Sequence, residues 1–263
     1  MKDISRKPLV AMDRAALAQE IADARRNGRT IGLVPTMGAL HEGHLSLVRA
    51  SRAQCDFTVV TIFVNPTQFG PHEDLDKYPR TLESDLALLA QEGVDLVFAP
   101  ASDEIYRAGH STFVEPPAAA APLEGERRPG HFRGVATIVL KLFQLIPADV
   151  AFFGQKDFQQ ALVIRRMVDD LDVPMRIVVC PIVREADGLA MSSRNRYLDA
   201  TQRQQAVAVW QSLAAAQAMV AAGERDAAAV AAAMRRTLTT AGIEHIDYVA
   251  LCNPDDLSPR TTI

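Results

Sequence analysis

The stretch TIGLVPTMGALHEGH, residues 30–44, decides the fold of this chain. Its first part, Thr30 to Val34, is a short run with strand propensity that ends at Pro35. A glycine-containing turn follows, and Leu45 to Arg52 then has the apolar spacing of a helix. The stretch therefore predicts a strand, a tight turn and a helix in direct succession.

The elements around this stretch continue the alternation of helices and strands. Asp13 is the predicted N-cap of a helix over Arg14 to Arg26, which Asn27 and Gly28 end. Strands are predicted at 57–64, 94–98, 150–153 and 175–183, and helices at 80–91, 135–146 and 157–170. Continuous apolar strands between helices indicate a parallel sheet covered on both faces. We therefore predict an α/β fold with a Rossmann-like, doubly wound parallel sheet, which binds ligands at the carboxyl edge of its strands.

The composition changes after about residue 184. Two Ala-rich helices, predicted at 201–222 and 226–241, end at glycines, and a strand is predicted at 246–251. We expect residues 1–183 to form the nucleotide- and substrate-binding domain and residues 184–263 to form a smaller, lid-like C-terminal α+β domain. The four alanines at 118–121 lie between prolines and predict a loop or extended linker.

Composition and charge are those of an ordinary globular protein. Of 263 residues, 48% are hydrophobic and 23% are charged, and 14 Gly and 15 Pro exclude collagen-like and Pro/Gly-rich disordered classes. The formal net charge is −4, so we expect no nucleic-acid partner and no anionic membrane surface. No apolar run approaches the length of about 18 residues that spans a membrane.

The cysteines and the N-terminus indicate a reducing compartment. Cys55, Cys180 and Cys252 are far apart and odd in number, so neither a disulfide framework nor a zinc knuckle is predicted. Residues 1–8, MKDISRKP, contain no apolar stretch of the kind found in secretory signals. We expect a cytoplasmic protein.

The first chemical constellation is PTMGALHEGH at 35–44. Its glycines let the backbone approach a ligand closely, and the helix N-terminus that follows suits a phosphate. His41 and His44 are three residues apart, so both can donate hydrogen bonds to negative charge on a phosphate. A zincin would need histidines four apart, which disfavours a metal site. The alternative interpretation is two exposed loop histidines.

The second constellation is FVNPTQF at 63–69, just past a predicted strand. Asn65 and Gln68 offer uncharged donors and acceptors that can bind hydroxyl or carboxylate oxygens of a small substrate. The alternative is an ordinary Asn-Pro turn.

The third constellation, Gly154 to Asp157, also follows a strand and begins a helix. A glycine beside Lys156 at a helix N-terminus can hold a triphosphate oxygen, and Gln160 lies one helical turn beyond the lysine. The alternative is that Asp157 caps the helix and Lys156 is solvated.

Two further segments carry polar groups that can bind anions. Met191 to Arg194, MSSR, combines two hydroxyls and a guanidinium, although the same residues fit a surface turn. The basic segment Arg127 to Arg133 fits either an anion patch or a solvated loop. Together, the constellations predict a site for a nucleoside triphosphate and a small polar substrate.

At these positions the chain resembles the pantothenate synthetase (pantoate–β-alanine ligase) family. The resemblance covers about residues 10 to 200, and its motifs are PTMGALHEGH, FVNPTQF, YPRT at 78–81, RPGHFRGV at 128–135, AFFGQKDFQQ at 151–160 and MSSRNRYL at 191–198. The family belongs to the nucleotidyltransferases marked by His-x-Gly-His, here residues 41–44. MSSR stands where relatives carry a mobile loop of the Lys-Met-Ser-Lys-Ser type.

The resemblance implies two half-reactions. ATP and (R)-pantoate give pantoyl adenylate and pyrophosphate, and β-alanine then displaces AMP to give pantothenate. It implies His44, His41 and Lys156 as catalytic residues and Gln68, Gln160 and Asn65 as the residues around pantoate and β-alanine. It implies an ATP site made of Met37, Gly38, Ala39, Leu40, His41, Glu42, Gly43, His44, Gly154, Gln155, Lys156, Asp157, Val183, Met191, Ser192, Ser193 and Arg194.

The resemblance also implies Mg²⁺ on the nucleotide phosphates and a homodimer. Where the family can carry an acidic pair after YPRT, this chain has Ser84-Asp85, so protein ligands for the metal are left unassigned. Two other classes fit the residues: an adenylyltransferase that keeps the nucleotide in its product, and a catalytically silent nucleotide-binding module. Release of AMP separates the first from the ligase, and consumption of ATP separates the second.

Overall fold

The computed structural model describes residues 7–263. The first six residues, on which the expectation about a secretory signal partly depends, lie outside the described residues. The chain divides into two compact units, one that ends at Ile182 and one that runs from Val183 to Ile263. Within the described residues, no helix is both long enough and apolar enough to cross a membrane.

The first unit is built on one parallel sheet. Among residues 7–263 the sheet has six strands, in the order β1-β4-β3-β2-β5-β6, and every neighbouring pair is parallel. The strands are β1 (Leu9–Ala11), β2 (Ile31–Thr36), β3 (Phe57–Ile62), β4 (Leu96–Phe98), β5 (Val150–Gly154) and β6 (Arg176–Cys180). This order confirms the predicted doubly wound α/β fold.

Helices cover both faces of this sheet. In the first unit they are α1 (Arg14–Arg26), α2 (Glu42–Gln54), α3 (Leu82–Gln91), α4 (Ser102–Ile105), α5 (Glu124–Arg127), α6 (His131–Leu145) and α7 (Phe158–Asp170). Apolar side chains of α1, α6 and α7 pack on one face, around Leu33, Phe98 and Phe153. Side chains of α2 and α3 pack on the other face, around Val60 and Phe152. Alternate residues of each buried strand therefore enter opposite cores.

The second unit is mainly helical. It contains α8 (Ala200–Ala221), capped by Asp199, and α9 (Ala227–Thr240), capped by Asp226. Its β structure, in the part of the chain that the structure describes, consists of the isolated bridges Arg184–Ala190, Asp226–Thr262 and Cys252–Pro259. The strand predicted at 246–251 does not form, because the segment has no ladder partner and a strand is stable only when its backbone groups are paired.

The structure also differs from the predictions at two short segments. The edge strand β1 was missed, because three residues at a chain end give too little pattern to predict a strand. The alanines predicted as a linker form a short 3₁₀ turn over Ala118–Ala120 in which Ala119 and Ala120 are buried. Gln159 donates to the carbonyl of Ala119 at 2.9 Å and fixes this turn against α7.

Candidate active site

The candidate site lies where the strand order of the sheet reverses. The strands β3 and β5 flank β2, and the chain builds the sheet outward from β2 in both directions. In such sheets a crevice opens beyond the carboxyl ends of the strands at the reversal point. The segment after Thr36 and the segment after Gly154 therefore begin at neighbouring strand ends, β2 and β5. The segment 63–69 follows the end of β3 at the same edge.

The turn after β2 takes left-handed backbone conformations. Gly38 has φ +80° and Ala39 has φ 51°, a region that glycine reaches easily and alanine rarely. A Cβ on Gly38 would lie 3.0 Å from Ile62 Cγ2 and 3.1 Å from Asp85 Oδ2. The first glycine of the motif therefore permits both the conformation and the close approach.

Asp85 of α3 holds this turn from inside the protein. It is 1% exposed. Its carboxylate accepts hydrogen bonds from the N–H of Ala39 at 2.9 Å, from the N–H of Leu40 at 2.8 Å and from Thr81 Oγ1 at 3.1 Å. Charged acceptors of this kind form strong hydrogen bonds to backbone N–H groups. The sequence pattern around Ser84-Asp85 suggests only a place for metal ligands, and the support that Asp85 gives to the turn is visible only in the structure.

His41 and His44 together form a capping box at the N-terminus of α2. The N–H of Gly43 donates to His41 Nδ1 at 3.1 Å, and the N–H of His41 donates to His44 Nδ1 at 3.3 Å. Because Nδ1 accepts in both rings, a neutral imidazole must carry its proton on Nε2. The ring centroids are 4.1 Å apart. The helix start thus fixes two Nε2–H donors side by side.

The protonation state of His44 follows from its surroundings. Burial, together with the charges of His41 and Lys156, lowers the pKa of His44 to about 3. His44 is therefore a neutral hydrogen-bond donor near pH 7, and Lys156 is close enough to act on its charge. A helix N-terminus, two N–H donors and a nearby ammonium together suit a phosphate group.

The segment after β5 forms a short 3₁₀ turn, Gln155–Asp157, before α7 begins. Lys156 Nζ lies 3.2 Å from Asp157 Oδ1, and the side chains are 39% and 57% exposed. Asp157 makes no side-chain cap hydrogen bond to α7, although capping was the structural alternative for this residue. The turn therefore presents an accessible lysine at the switch point.

Asn65 and Gln68 form one hydrogen-bonded unit after β3. Asn65 is 1% exposed. Its Nδ2 donates to Gln68 Oε1 at 3.1 Å, and its Oδ1 accepts from Tyr106 Oη at 2.7 Å. Gln68 Nε2 contacts Met37 Sδ at 3.3 Å, so the turn after β3 touches the turn after β2. Asn65 thus orients the amide of Gln68, and the half-buried Gln68 is the more accessible of the two.

The two glutamines of α7 have different surroundings. Gln159 is buried and donates to the carbonyls of Ala119 and Pro122. Gln160, the predicted substrate residue, is half-buried, and its side chain makes no hydrogen bond with any described residue. The amide of Gln159 already has its hydrogen-bond partners within the protein, whereas the amide of Gln160 is open to a ligand. Gln160 is therefore the better candidate for binding one.

The remaining predicted ATP residues belong to the second unit. The N–H of Met191 donates to the carbonyl of Val183 at 3.0 Å, so a small hairpin brings these two residues together. Ser192 accepts from the N–H of Arg194 at 3.3 Å and begins the 3₁₀ turn Ser193–Tyr197. Ser193 is buried.

The basic segment Arg127 to Arg133 joins α5 to α6 through a short turn, and both of its end residues are exposed. Arg127 ends α5 and His131 begins α6, and Arg128 forms an ion pair with Glu73 at 2.6 Å. A Cβ on Gly134 would lie 2.2 Å from the carbonyl oxygen of Thr67, so this glycine lets α6 pack directly on the Pro66–Gln68 turn. Sequence reasoning missed this support because only the fold brings the two segments together.

Comparison with known proteins identifies a family for this chain. The family model described as pantoate-beta-alanine ligase matches residues 10–263. A pantothenate synthetase of Moorella thermoacetica is 54% identical over 249 residues, which are 95% of this chain and 88% of that protein. One of Roseiflexus castenholzii is 59% identical over 227 residues, covering 86% and 82%.

Solved structures show the same likeness. The crystal structure of pantothenate synthetase from Thermus thermophilus has a TM-score of 0.92 and 43% identity, over 97% of this chain and 91% of that chain. A pantoate-β-alanine ligase from Francisella tularensis, complexed with β-γ ATP and β-alanine, has a TM-score of 0.77 and 35% identity, over 88% and 86%.

Proposed function

Because this chain belongs to the pantoate–β-alanine ligase family and catalyses the ATP-dependent ligation of pantoate and β-alanine, we propose that its reaction runs through a pantoyl adenylate. The products are then pantothenate, AMP and pyrophosphate. The observation that carries this proposal is the pair of Nε2–H donors on His41 and His44, with Lys156 acting on the same site.

In the first half-reaction a carboxylate oxygen of (R)-pantoate attacks the α-phosphorus of ATP. The bond between the α-phosphorus and the bridging oxygen breaks, and pyrophosphate leaves with the electron pair. Negative charge grows on the departing oxygens, where neutral His44 donates a hydrogen bond and Lys156 supplies a positive charge. The low pKa of His44 supports this role, because the ring keeps one fixed Nε2–H over the physiological pH range.

We assign the nucleotide to residues from both units. Met37 to His44 and Gly154 to Asp157 hold the phosphates and the nucleoside from the carboxyl edge of the sheet. Val183 and Met191 to Arg194, in the second unit, are assigned to the same nucleotide by the family likeness, and the two hydroxyls and the guanidinium of the MSSR segment suit a phosphate. The hairpin contact between Val183 and Met191 supports their acting together.

We assign pantoate to Gln68 and Gln160, and then β-alanine to Gln68, with Asn65 nearby. The amide of Gln68 has its orientation set by Asn65, so it presents a defined donor. In the second half-reaction the amine of β-alanine, as free base, attacks the adenylate carbonyl carbon. The bond from that carbon to the phosphate oxygen breaks, AMP leaves, and the amine loses a proton.

The cysteines support an adenylate that is not attached to the enzyme. Cys55 and Cys180 are buried. Burial raises the pKa of Cys180, and burial and Asp256 raise the pKa of Cys252, so neither thiol is an activated thiolate.

The proposal assigns no protein ligand to Mg²⁺. Within residues 7–263, no group of three or more His, Cys, Asp and Glu side chains is arranged to hold a metal ion. Asp85 is the acidic residue at the position after YPRT where the family can carry an acidic pair. Both of its carboxylate oxygens accept hydrogen bonds from the protein. Magnesium in this proposal accompanies the nucleotide phosphates, and no step depends on a protein ligand for it.

The test uses each substrate omitted in turn. ATP and pantoate without β-alanine should release about one equivalent of pyrophosphate per site, and ¹⁸O from the pantoate carboxylate should pass into AMP once β-alanine is added. Formation of ADP and phosphate, or label found only in pantothenate, would contradict the adenylate.

We also propose a homodimer and a cytoplasmic location. Two arguments support the dimer. One is the likeness to the family, and the other is that C₂ dimers are the commonest oligomers. Light scattering should give twice the chain mass of 28.6 kDa. A mass of one chain at all micromolar concentrations contradicts it.

A further inference from the structure

The backbone of Gln68 is held by a side chain from another element. His131, the first residue of α6, lies with Nδ1 2.8 Å from the carbonyl oxygen of Gln68. A carbonyl only accepts, so Nδ1 must carry a proton for this contact to be a hydrogen bond. Burial is the largest influence on His131 and lowers its pKa, so the ring is neutral near pH 7 and has a single proton to place.

Arg128 determines where that proton sits. Its Nη1 lies 3.3 Å from His131 Nε2. A guanidinium can donate but cannot accept, so Nε2 of His131 must be the accepting nitrogen. The proton of the neutral ring is then on Nδ1, where it donates to Gln68.

Glu73 fixes the guanidinium in turn. Arg128 Nε donates to Glu73 Oε1 at 2.8 Å, and Nη2 donates to Oε2 at 2.6 Å, a bidentate arrangement that sets both position and plane. The hydrogen bond from Arg128 holds the pKa of Glu73 below its usual range. Glu124 also faces the guanidinium, at 3.9 Å.

The close packing of α6 makes this contact stiff. Gly134 has no Cβ, so one turn beyond His131 the helix backbone lies against Thr67 and Gln68. Asn65 Nδ2 lies 3.3 Å from the carbonyl of Gly134 and can donate to it. A displaced His131 would therefore release its restraint on the Gln68 carbonyl while the rest of the turn stays packed.

We infer that Glu73, Arg128 and His131 form a positioning relay that selects the Nδ1–H tautomer of His131 and thereby holds Gln68 in place for its substrate. The inference rests on the proposed role of Gln68. None of the three residues needs to touch the substrate. The relay acts through the Gln68 backbone, whereas Asn65 acts through the Gln68 side chain.

The experiment reads the tautomer and the kinetics on the same variants. The full chain is labelled with ¹⁵N, and the ring nitrogens of His131 are assigned by their loss in His131→Gln. Arg128→Leu removes the donor to Nε2, and Glu73→Gln is an isosteric change that weakens only the fixing of the arginine. Arg25→Leu is the control, since Arg25 also pairs with a carboxylate. Its Nη1 donates to both oxygens of Asp149, at 3.0 and 2.8 Å, next to the amino end of β2.

The parent protein should show a protonated Nδ1 and an unprotonated Nε2 on His131. Arg128→Leu should mix the two tautomers and lower kcat/KM for pantoate in pyrophosphate release by on the order of tenfold, with KM for ATP unchanged. Glu73→Gln should shift the tautomer ratio of His131 and kcat/KM for pantoate in the same directions, but by less. If Arg128→Leu fails to fold, Glu73→Gln tests the relay in its place. Arg25→Leu should leave both as in the parent.

Three results would overturn the relay. The first is a parent His131 protonated on Nε2, and the second is a changed tautomer with unchanged kinetics for pantoate. The third is a rise confined to KM for β-alanine, which would show that Arg128 binds a substrate carboxylate directly. A parent enzyme that releases no pyrophosphate contradicts the proposed function instead, and the tautomer of His131 then still tests the relay.

Discussion

His44 combines a fixed tautomer with a low pKa, so its contribution is a neutral hydrogen bond and not a positive charge. In the proposed reaction, His44→Ala removes that donor from the place where charge grows on the leaving pyrophosphate. We expect kcat for pyrophosphate release to fall by roughly 10²- to 10³-fold, the usual effect of losing one such donor. His72→Ala, at an exposed histidine, is the control and should react like the parent. Near-normal release by His44→Ala, with an unchanged circular dichroism spectrum, would remove His44 from the mechanism.

The same residue makes stability depend on pH. Folding lowers the pKa of His44 from 6.5 to about 3, so below pH 6.5 the unfolded chain binds a proton that the folded ring does not. The contribution of neutral His44 to the free energy of unfolding is therefore fully present above pH 6.5. It is lost progressively as the pH falls from 6.5 towards 3. Between about pH 7.5 and about pH 5 the parent should lose on the order of 2 kcal/mol more than His44→Gln. Urea unfolding of both proteins at the two pH values measures this difference, and equal losses would contradict it.

At the residue scale, the sequence could suggest candidate hydrogen-bond donors but not the side chains that hold them in place. The histidine pair, Lys156 and Gln68 could be chosen because each follows a strand end in a polar motif. Asp85 could not, because its role depends on α3 placing a buried carboxylate under the turn at 38–40. Asn65 was expected beside the substrate, and its burial shows how it acts on Gln68.

At the scale of elements, the close packing of α6 on the Pro66–Gln68 turn requires a residue without a Cβ at position 134. In Gly134→Ala the added Cβ would meet backbone atoms of Thr67 at 2.2 and 2.5 Å and Gln68 Cα at 2.7 Å, none of which can rotate away. We expect the free energy of unfolding to fall by about 1–3 kcal/mol and KM for pantoate to rise as the turn shifts. Urea unfolding and initial rates measure the two effects.

Gly70→Ala is the matched control for that substitution. Its Cβ would meet only the Glu73 side chain, at ordinary distances of 3.6–3.7 Å, so stability should stay within about 0.5 kcal/mol of the parent. Equal behaviour of the two variants would show that α6 can move without consequence.

The elements that sequence patterns predicted well are those with their own signals. The helix α1 has an N-cap at Asp13 and a stop at Asn27, and both are seen. The start of α6 was placed four residues late, because His131 to Gly134 have no apolar spacing and gain their helical order from packing on Pro66–Gln68. Residues 246–251 have strand propensity but no partner, and propensity alone does not make a strand.

At the scale of the whole molecule, the proposed ATP site includes Arg194 of the second unit. Arg194→Ala should raise KM for ATP and lower pyrophosphate release by on the order of tenfold, because a guanidinium on a phosphate makes a charge-assisted contact. Arg235→Ala, at an exposed arginine of α9, is the control and should match the parent. ATP titration and single-turnover rates measure the two effects, and parent-like values for Arg194→Ala would contradict its proposed role in binding ATP.

The strand order also determines when neighbouring strands become available to each other during translation. The central strand β2 ends at Thr36, but its neighbour β5 begins only at Val150, more than a hundred residues later. At about 5–20 residues per second, a ribosome takes roughly 5 to 20 seconds to deliver that partner. During this interval one edge of β2 has no strand beside it, and an open edge invites pairing with another nascent chain. Of the proposed ATP-binding residues, His44 is made long before Lys156, so at such a site ATP could stabilise only a nearly finished first unit.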